Sequence, residues 1–145
     1  MKNKDIVCVC IGSNQIAGDC LGPLVGSYLK DIKGVNVYGD MESPVDFKNV
    51  DYIMDLVNDR YFDDLKIVID SALGSNVGDI IIDCGELEIG KGLNKTKKIC
   101  GDLNIRAVVG KNYNDIYKNT MELKSRDMAE INKLAIKVVN MVIDV

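Results

Sequence analysis

The strongest constraint on the fold is the run Ile6-Val7-Cys8-Val9-Cys10-Ile11, which is apolar at every position and opens into the glycine-punctuated stretch Gly12 to Pro23. A strand that is apolar on both sides needs cover on both faces, and layers of helices on a parallel sheet provide it. Gly18 and Gly22 suit a tight turn where a side chain would clash, and Pro23 suits the first position of a helix. A helix is expected from Pro23 to about Lys33, with Leu24, Val25, Tyr28, Leu29 and Ile32 on one stripe, ended by Gly34. Val35-Asn36-Val37-Tyr38 reads as a second strand and Gly39 to Pro44 as a loop. Asp46 or a near neighbour caps a second helix, in which Phe47, Val50, Ile53, Met54 and Val57 repeat at helical spacing. Lys66 to Asp70 is a third strand. This β-α-β-α-β alternation predicts parallel strands joined by right-handed crossovers.

Beyond Asp70 the pattern changes. Ser71 to Gly78 is too short for a helical crossover, so Asp79 to Ile89 should run antiparallel to the third strand, at an edge. Gly90 to Gly101 reads as a lysine- and glycine-rich loop, and Leu103 to Val109 as a strand. A long helical region covers Asn114 to Val145, interrupted near Lys124-Ser125, with Ile131, Leu134, Ala135, Val138, Val139 and Val142 as its buried stripe. The expected architecture is one domain over residues 1–145. It is a three-layer α/β/α fold of the phosphorylase/hydrolase-like kind, its five-stranded sheet mostly parallel with one antiparallel edge strand.

Composition narrows the chemistry. The chain has no histidine, which excludes a Ser-His-Asp triad, a Cys-His pair and histidine-based zinc sites. Catalysis is left to carboxylates, a thiol, lysine or tyrosine. A net charge of −4 without a lysine or arginine run gives no footprint for nucleic acid. No apolar stretch approaches a membrane span, and Met1-Lys2-Asn3-Lys4-Asp5 lacks the apolar core of a signal peptide. The five cysteines are an odd number without a CxxC pair, pointing to a reducing cytoplasm. Oligomeric state is not legible.

In an open α/β sheet ligands bind beyond the carboxyl ends of the strands, where the strand order reverses. With the order 2-1-3, Asp19 after the first strand and Asp70 at the end of the third flank one crevice. Two such carboxylates can hold a divalent cation, or can share a proton because both cannot ionise cheaply. In the second case one acid serves as base toward water while the other donates to a carbonyl oxygen, which is amide hydrolysis without histidine. Spacing alone equally allows Asp19 to cap the helix and Asp70 to end a strand in a turn. Ser13 and Asn14 are candidates to orient substrate or water. Cys20, beside a helix N-terminus, has a position that can lower a thiol pKa.

Several stretches carry a resemblance. They are Ile11-Gly12-Ser13, Gly18-Asp19-Cys20-Leu21-Gly22-Pro23-Leu24-Val25-Gly26, and Tyr38-Gly39 with Ser43-Pro44-Val45. Ile69-Asp70-Ser71-Ala72-Leu73-Gly74, Gly90-Lys91-Gly92 and Gly101-Asp102-Leu103-Asn104-Ile105 follow in order. Together they resemble the YyaC-type sporulation proteins, described as spore proteases, over nearly the whole chain. That family is similar in fold to hydrogenase maturation endopeptidases and to the germination protease of spores. In the maturation peptidases an acid in the loop after the first strand binds metal, and Asp19 falls there; a second acid follows the third strand, where Asp70 falls. The germination protease likewise uses two aspartates.

This sequence departs from that pattern where the maturation peptidases place a histidine as third ligand. The Pro-Val-His segment of the YyaC type is Pro44-Val45-Asp46 here. Imidazole-selected metal would bind worse, although Asp46 offers an oxygen in its place. The resemblance implies a sporulation-associated endopeptidase in the forespore or mother-cell cytoplasm, with Asp19 and Asp70 catalytic and Ser13, Asn14 and Asp46 toward a protein or peptide substrate. Asp19 and Asp70 are also the candidate ligands of a divalent metal. The alternative is a non-catalytic descendant of the peptidase fold that binds a peptide or partner.

Overall fold

The computed structural model describes residues 5–145, and Met1 to Lys4, part of the stretch read for a signal peptide, lie outside the described residues. Five strands form one sheet in the order β2-β1-β3-β5-β4. β1 (Ile6–Cys10), β2 (Val35–Tyr38), β3 (Leu65–Gly74) and β5 (Lys97–Lys111) are mutually parallel, and β4 (Ile80–Ile89) runs antiparallel to β5 at the edge. The 2-1-3 order anticipated from the alternation is therefore present, with its reversal point between β1 and β3.

Helices cover both faces. α1 (Leu21–Leu29) and α4 (Met128–Ile143) pack on one side, where Leu21, Val25 and Leu29 meet Ile131, Ala135, Val138 and Val142 over Cys8, Ile67, Ile69 and Ile105. On the other side Val50, Met54 and Val57 of α2 (Val50–Arg60) bury Val7, Val9 and Val68. Among the described residues no helix is long and apolar enough to cross a membrane.

α1 begins two residues before the expected start. A single 3-10 turn, Ala17–Asp19, runs directly into the helix, so Pro23 is its third residue. Proline is tolerated there because the first turn's N–H groups have no partner inside the helix. Tyr28 faces solvent rather than the core, and Leu21, Gly22 and Gly26 are buried in its stead. A Cβ on Gly22 would lie 2.1 Å from the Ile11 carbonyl oxygen, so glycine is what lets α1 sit against the end of β1. The interrupted C-terminal helix is α3 (Ile116–Lys124) followed by α4. Asp115 caps the first by accepting from the N–H groups of Tyr117 and Lys118, and Asp127 caps the second through Ala129.

β4 lies at the edge and runs antiparallel to β3, as expected, with β5 between them as its partner. The burial explains the order: β5 is buried at nearly every position from Asn104 to Gly110, whereas Ile81 to Cys84 of β4 are exposed, as an outer strand must be. One expectation in the second half needs correction: the stretch Gly90 to Gly101 is not a loop. β5 already starts at Lys97, and its first residues pair with Glu86 to Ile89 in a long hairpin. Within it Leu87, Ile89 and Ile99 join the core beneath α2, a two-residue alternation masked by the lysines between them. Only the tip, with the 3-10 turn Lys91–Leu93, is a connection.

Candidate active site

The site grows from the carboxyl ends of β1 and β3. Cys10 pairs with Ile69, and the Ile11 N–H donates to the Ile69 carbonyl at 2.8 Å, so Asp70 sits where β1 stops and β3 runs on. β3 continues to Gly74, so Asp70 belongs to a strand interior rather than its final position. From β1 the chain turns back on itself: the Ser13 N–H donates to the Asp19 carbonyl at 2.9 Å. A Cβ on Gly12 would meet that same carbonyl oxygen at 2.2 Å, so the tuck that brings Asp19 to the strand ends requires glycine at position 12.

Asp19 and Asp70 line one cleft of ≈ 150 Å³. Ser71 touches both: its N–H donates to Asp70 Oδ1 at 2.8 Å, and its hydroxyl donates to Asp19 Oδ1 at 3.4 Å. Burial pushes the Asp19 carboxyl up to about 6; the Ser71 hydroxyl works against that rise and the charge of Asp46 adds to it. Asp70 is held well above the usual carboxylate range, first by burial and then by the charge of Asp19, with the Ser71 N–H and Arg106 opposing. Asp70 therefore feels the charge of Asp19, and neither acid is saturated by neutral backbone donors.

The other sequence candidates stand further off. The Ser13 hydroxyl accepts from the Gln15 N–H at 2.9 Å, and the Asn14 amide donates to the Met41 carbonyl at 2.9 Å. Both hold the loop together, and neither lines the cleft. Asp46 accepts from the N–H groups of Lys48 and Asn49 at 2.9 and 3.1 Å, capping the turn into α2, and reaches Asp19 only through its charge. The Cys20 thiol is raised, by burial and by Asp19, rather than lowered by its helix terminus. It donates to the Ile16 carbonyl as a packed thiol. All five cysteines are free.

Some cleft residues carried little signal in the sequence. Ser71 follows Asp70 directly, and a hydroxyl beside a strand-borne acid was the available clue. Arg106 lies opposite Asp70 in the β3–β5 register, and a charged residue flanked by Ile105 and Ala107 marks it. Lys91, from the stretch expected as a lysine- and glycine-rich loop, lies in the cleft wall, as does Asn112 just beyond β5. Asn119 was invisible. It is 2% exposed, and its side chain ties Gly92, Asn112 and Tyr113 together.

A resident metal is poorly matched by these donors. Among the described residues no three histidine, cysteine, aspartate or glutamate side chains converge on one point, and the Asp46 carboxylate is committed to its turn. Two carboxylates alone leave most of a cation's coordination to water.

Comparison with known proteins gives the frame. The chain belongs to the family described as Protein of unknown function (DUF1256), which it matches over residues 1–141. It is 36% identical over 110 residues to the uncharacterized protein YyaC of Bacillus subtilis (strain 168). The match takes in 73% of this chain and 54% of YyaC, so the chain spans about half the length of the curated relative it matches. Among solved structures it is similar to the [NiFe] hydrogenase maturation protease HycI from Thermococcus kodakarensis KOD1. The TM-score is 0.62 at 17% identity, over 97% of this chain and 91% of that one. The maturation protease HybD from Thermococcus kodakarensis gives 0.60 at 16%, covering 97% of both chains. The hydrogenase 2 maturation peptidase from Thaumarchaeota archaeon SCGC_AB-539-E09 gives 0.56 at 14%, again over 97% of both. At these identities the likeness is one of fold: a five-stranded mixed sheet with its helices.

Proposed function

We propose that this member of the DUF1256 family is a peptidase that hydrolyses a peptide bond of a protein substrate with Asp19 and Asp70 as an acid pair. The observation that carries this reading is the shared cleft, in which two carboxyls distant in the chain are both raised in pKa, one of them partly by the other. The unequal burial of the two acids supports a division of roles. Asp70, buried, keeps the proton; Asp19, nearer the cleft surface and served by the Ser71 hydroxyl, is the ionised partner at neutral pH. Asp19 accepts a proton from water as its oxygen bonds to the amide carbon, while Asp70 passes its proton to the carbonyl oxygen. Collapse of the tetrahedral intermediate returns that proton to Asp70, and the proton held by Asp19 leaves with the amine. The likeness in fold to maturation proteases supports a protein substrate. The sequence resemblance to spore proteins supports a cytoplasmic role in spore formation or germination.

The test is cleavage of an unstructured protein such as casein by the wild type, Asp19→Asn and Asp70→Asn, with the fold checked by circular dichroism. Loss of about a thousandfold or more in each variant is expected. Turnover surviving both substitutions would remove the acid pair from the mechanism. Peptide binding without turnover in any form would instead identify a binding protein on a peptidase fold, the reading that the absent histidine favours.

A further inference from the structure

The acid-pair cleft does not end at Arg106. A second cleft of ≈ 230 Å³ lies along the β4–β5 hairpin, and Glu88, Lys91 and Arg106 line both, so the two adjoin at those side chains. Most charges in the outer part are matched. Lys98 Nζ lies 3.8 Å from Glu86 and Arg106 Nη2 donates to Asp83 Oδ2 at 2.9 Å, while Glu88, which lines both clefts, has no ion-pair partner among the described residues.

Two cations at the junction are not used up. Lys91 has no ion-pair partner among the described residues. Arg106 Nε is buried and has no acceptor, although Nη2 is engaged. A buried cationic N–H without an acceptor costs free energy until a ligand or an ordered water completes it. The backbone carrying Lys91 is also fixed. Gly90 takes φ 77°, and Asn119 donates to the Gly92 carbonyl at 2.8 Å. The junction thus holds an unpaired lysine and a partly exposed guanidinium beside the reacting acids.

We propose that the groove selects peptide segments with an Asp or Glu side chain close to the bond presented to Asp19 and Asp70, the carboxylate being received by Lys91 and Arg106. Arg106 offers a planar fork suited to a carboxylate, and Lys91 a mobile point charge. A carboxylate cannot settle on the acid pair itself without like-charge repulsion, so the two cations also fix which way the peptide lies. This specificity rests on the reading of the cleft as a peptide-binding site.

Binding can be separated from turnover in the Asp19→Asn protein. The probes are fluorescent decapeptides of Ala, Leu and Ser, acetylated and amidated, with two central Glu residues or two Gln. The Glu peptide should bind about tenfold tighter, with an advantage that shrinks as salt rises. Lys91→Gln, at an exposed position that leaves the core alone, should remove most of the preference, and Arg106→Lys should weaken it. Equal affinity for the two peptides would overturn the proposal. So would an acidic preference unchanged in both variants, or no binding of either peptide at millimolar concentration. Selective binding by a wild type that cleaves nothing would refute the catalytic reading while leaving this one standing.

Discussion

Ile69 and Asp70 are neighbours in the chain and opposites in the fold. Ile69, with Ile67, Ile105, Ala107 and Val109, faces α1 and α4 in a cluster without a polar side chain. The alternate positions of the same two strands, Lys66, Val68 and Asp70 on β3 and Asn104 and Arg106 on β5, face the other way, toward α2 and the hairpin. Three of the four buried polar or charged residues, Lys66, Asp70 and Asn104, are on that second side. Burying a carboxyl or an amide costs free energy that packing elsewhere has to offset, and the apolar face supplies it. One face of the sheet is therefore built for stability, and the other tolerates instability where charges are held away from water.

Substituting each neighbour breaks this contrast most directly. Asp70→Asn should cost about a thousandfold or more in cleavage while the protein stays folded. Ile69→Ala should do the reverse, destabilising the fold by about 2–5 kcal/mol and leaving cleavage per folded molecule nearly unchanged. Urea denaturation alongside the cleavage assay separates the two. If Ile69→Ala abolished turnover in molecules shown to be folded, the division of labour between faces would be wrong.

A second, smaller effect concerns pH. Asp19 and Asp70 both hold their protons more tightly folded than unfolded. Their environment therefore favours the fold fully below the ordinary carboxylate range. That advantage is lost as pH rises, through about 6 for Asp19 and higher for Asp70. Thermal unfolding of the wild type should show falling stability from pH 4 to pH 8 in the part due to these two groups. Asp19→Asn should be more stable than wild type at pH 8 by roughly 1–2 kcal/mol, a value discounted for its partial exposure, and equal to it at pH 4. Asp70→Asn should shift in the same direction. A catalytic pair that destabilises its own fold has this signature; a pair of structural caps has the opposite one.

The sequence displayed these two faces unequally. The apolar face was legible almost residue by residue, because Ile131, Leu134, Ala135, Val138, Val139 and Val142 repeat at helical spacing and all are buried. Asp19 and Asp70 were legible too, since a glycine-rich turn and a strand end flag the edge where ligands bind. The site's walls were not. Lys91 and Arg106 come from a hairpin whose lysines hid its two-residue alternation, and no local pattern announces that β5 inserts between β3 and β4. Asn119 acts through contacts with Gly92, Asn112 and Tyr113, made only once three separate segments have converged. Ser13 and Asn14 stand apart from the cleft that was expected to hold them: the Ser13 hydroxyl closes its own turn, and Asn14 reaches across to the Met41 carbonyl.

The smallest expected effect is also the one that best resolves the roles within the pair. Among the described residues Ser71 is the one side chain that donates to the Asp19 carboxylate, and at 3.4 Å the bond is long, so its influence is real but weak. Ser71→Ala should raise the Asp19 pKa above about 6 by roughly half a unit, moving the acid limb of the cleavage profile upward by the same amount. Ser71→Thr keeps the hydroxyl and should restore the wild-type limb. A loss of rate in Ser71→Ala with the limb unmoved would mean that the serine acts by packing or through its backbone N–H to Asp70, and the assignment of Asp19 as the ionised partner would lose its support. A carboxyl carbon titration followed by NMR makes the same measurement without turnover, so it applies even to a protein that only binds its peptide.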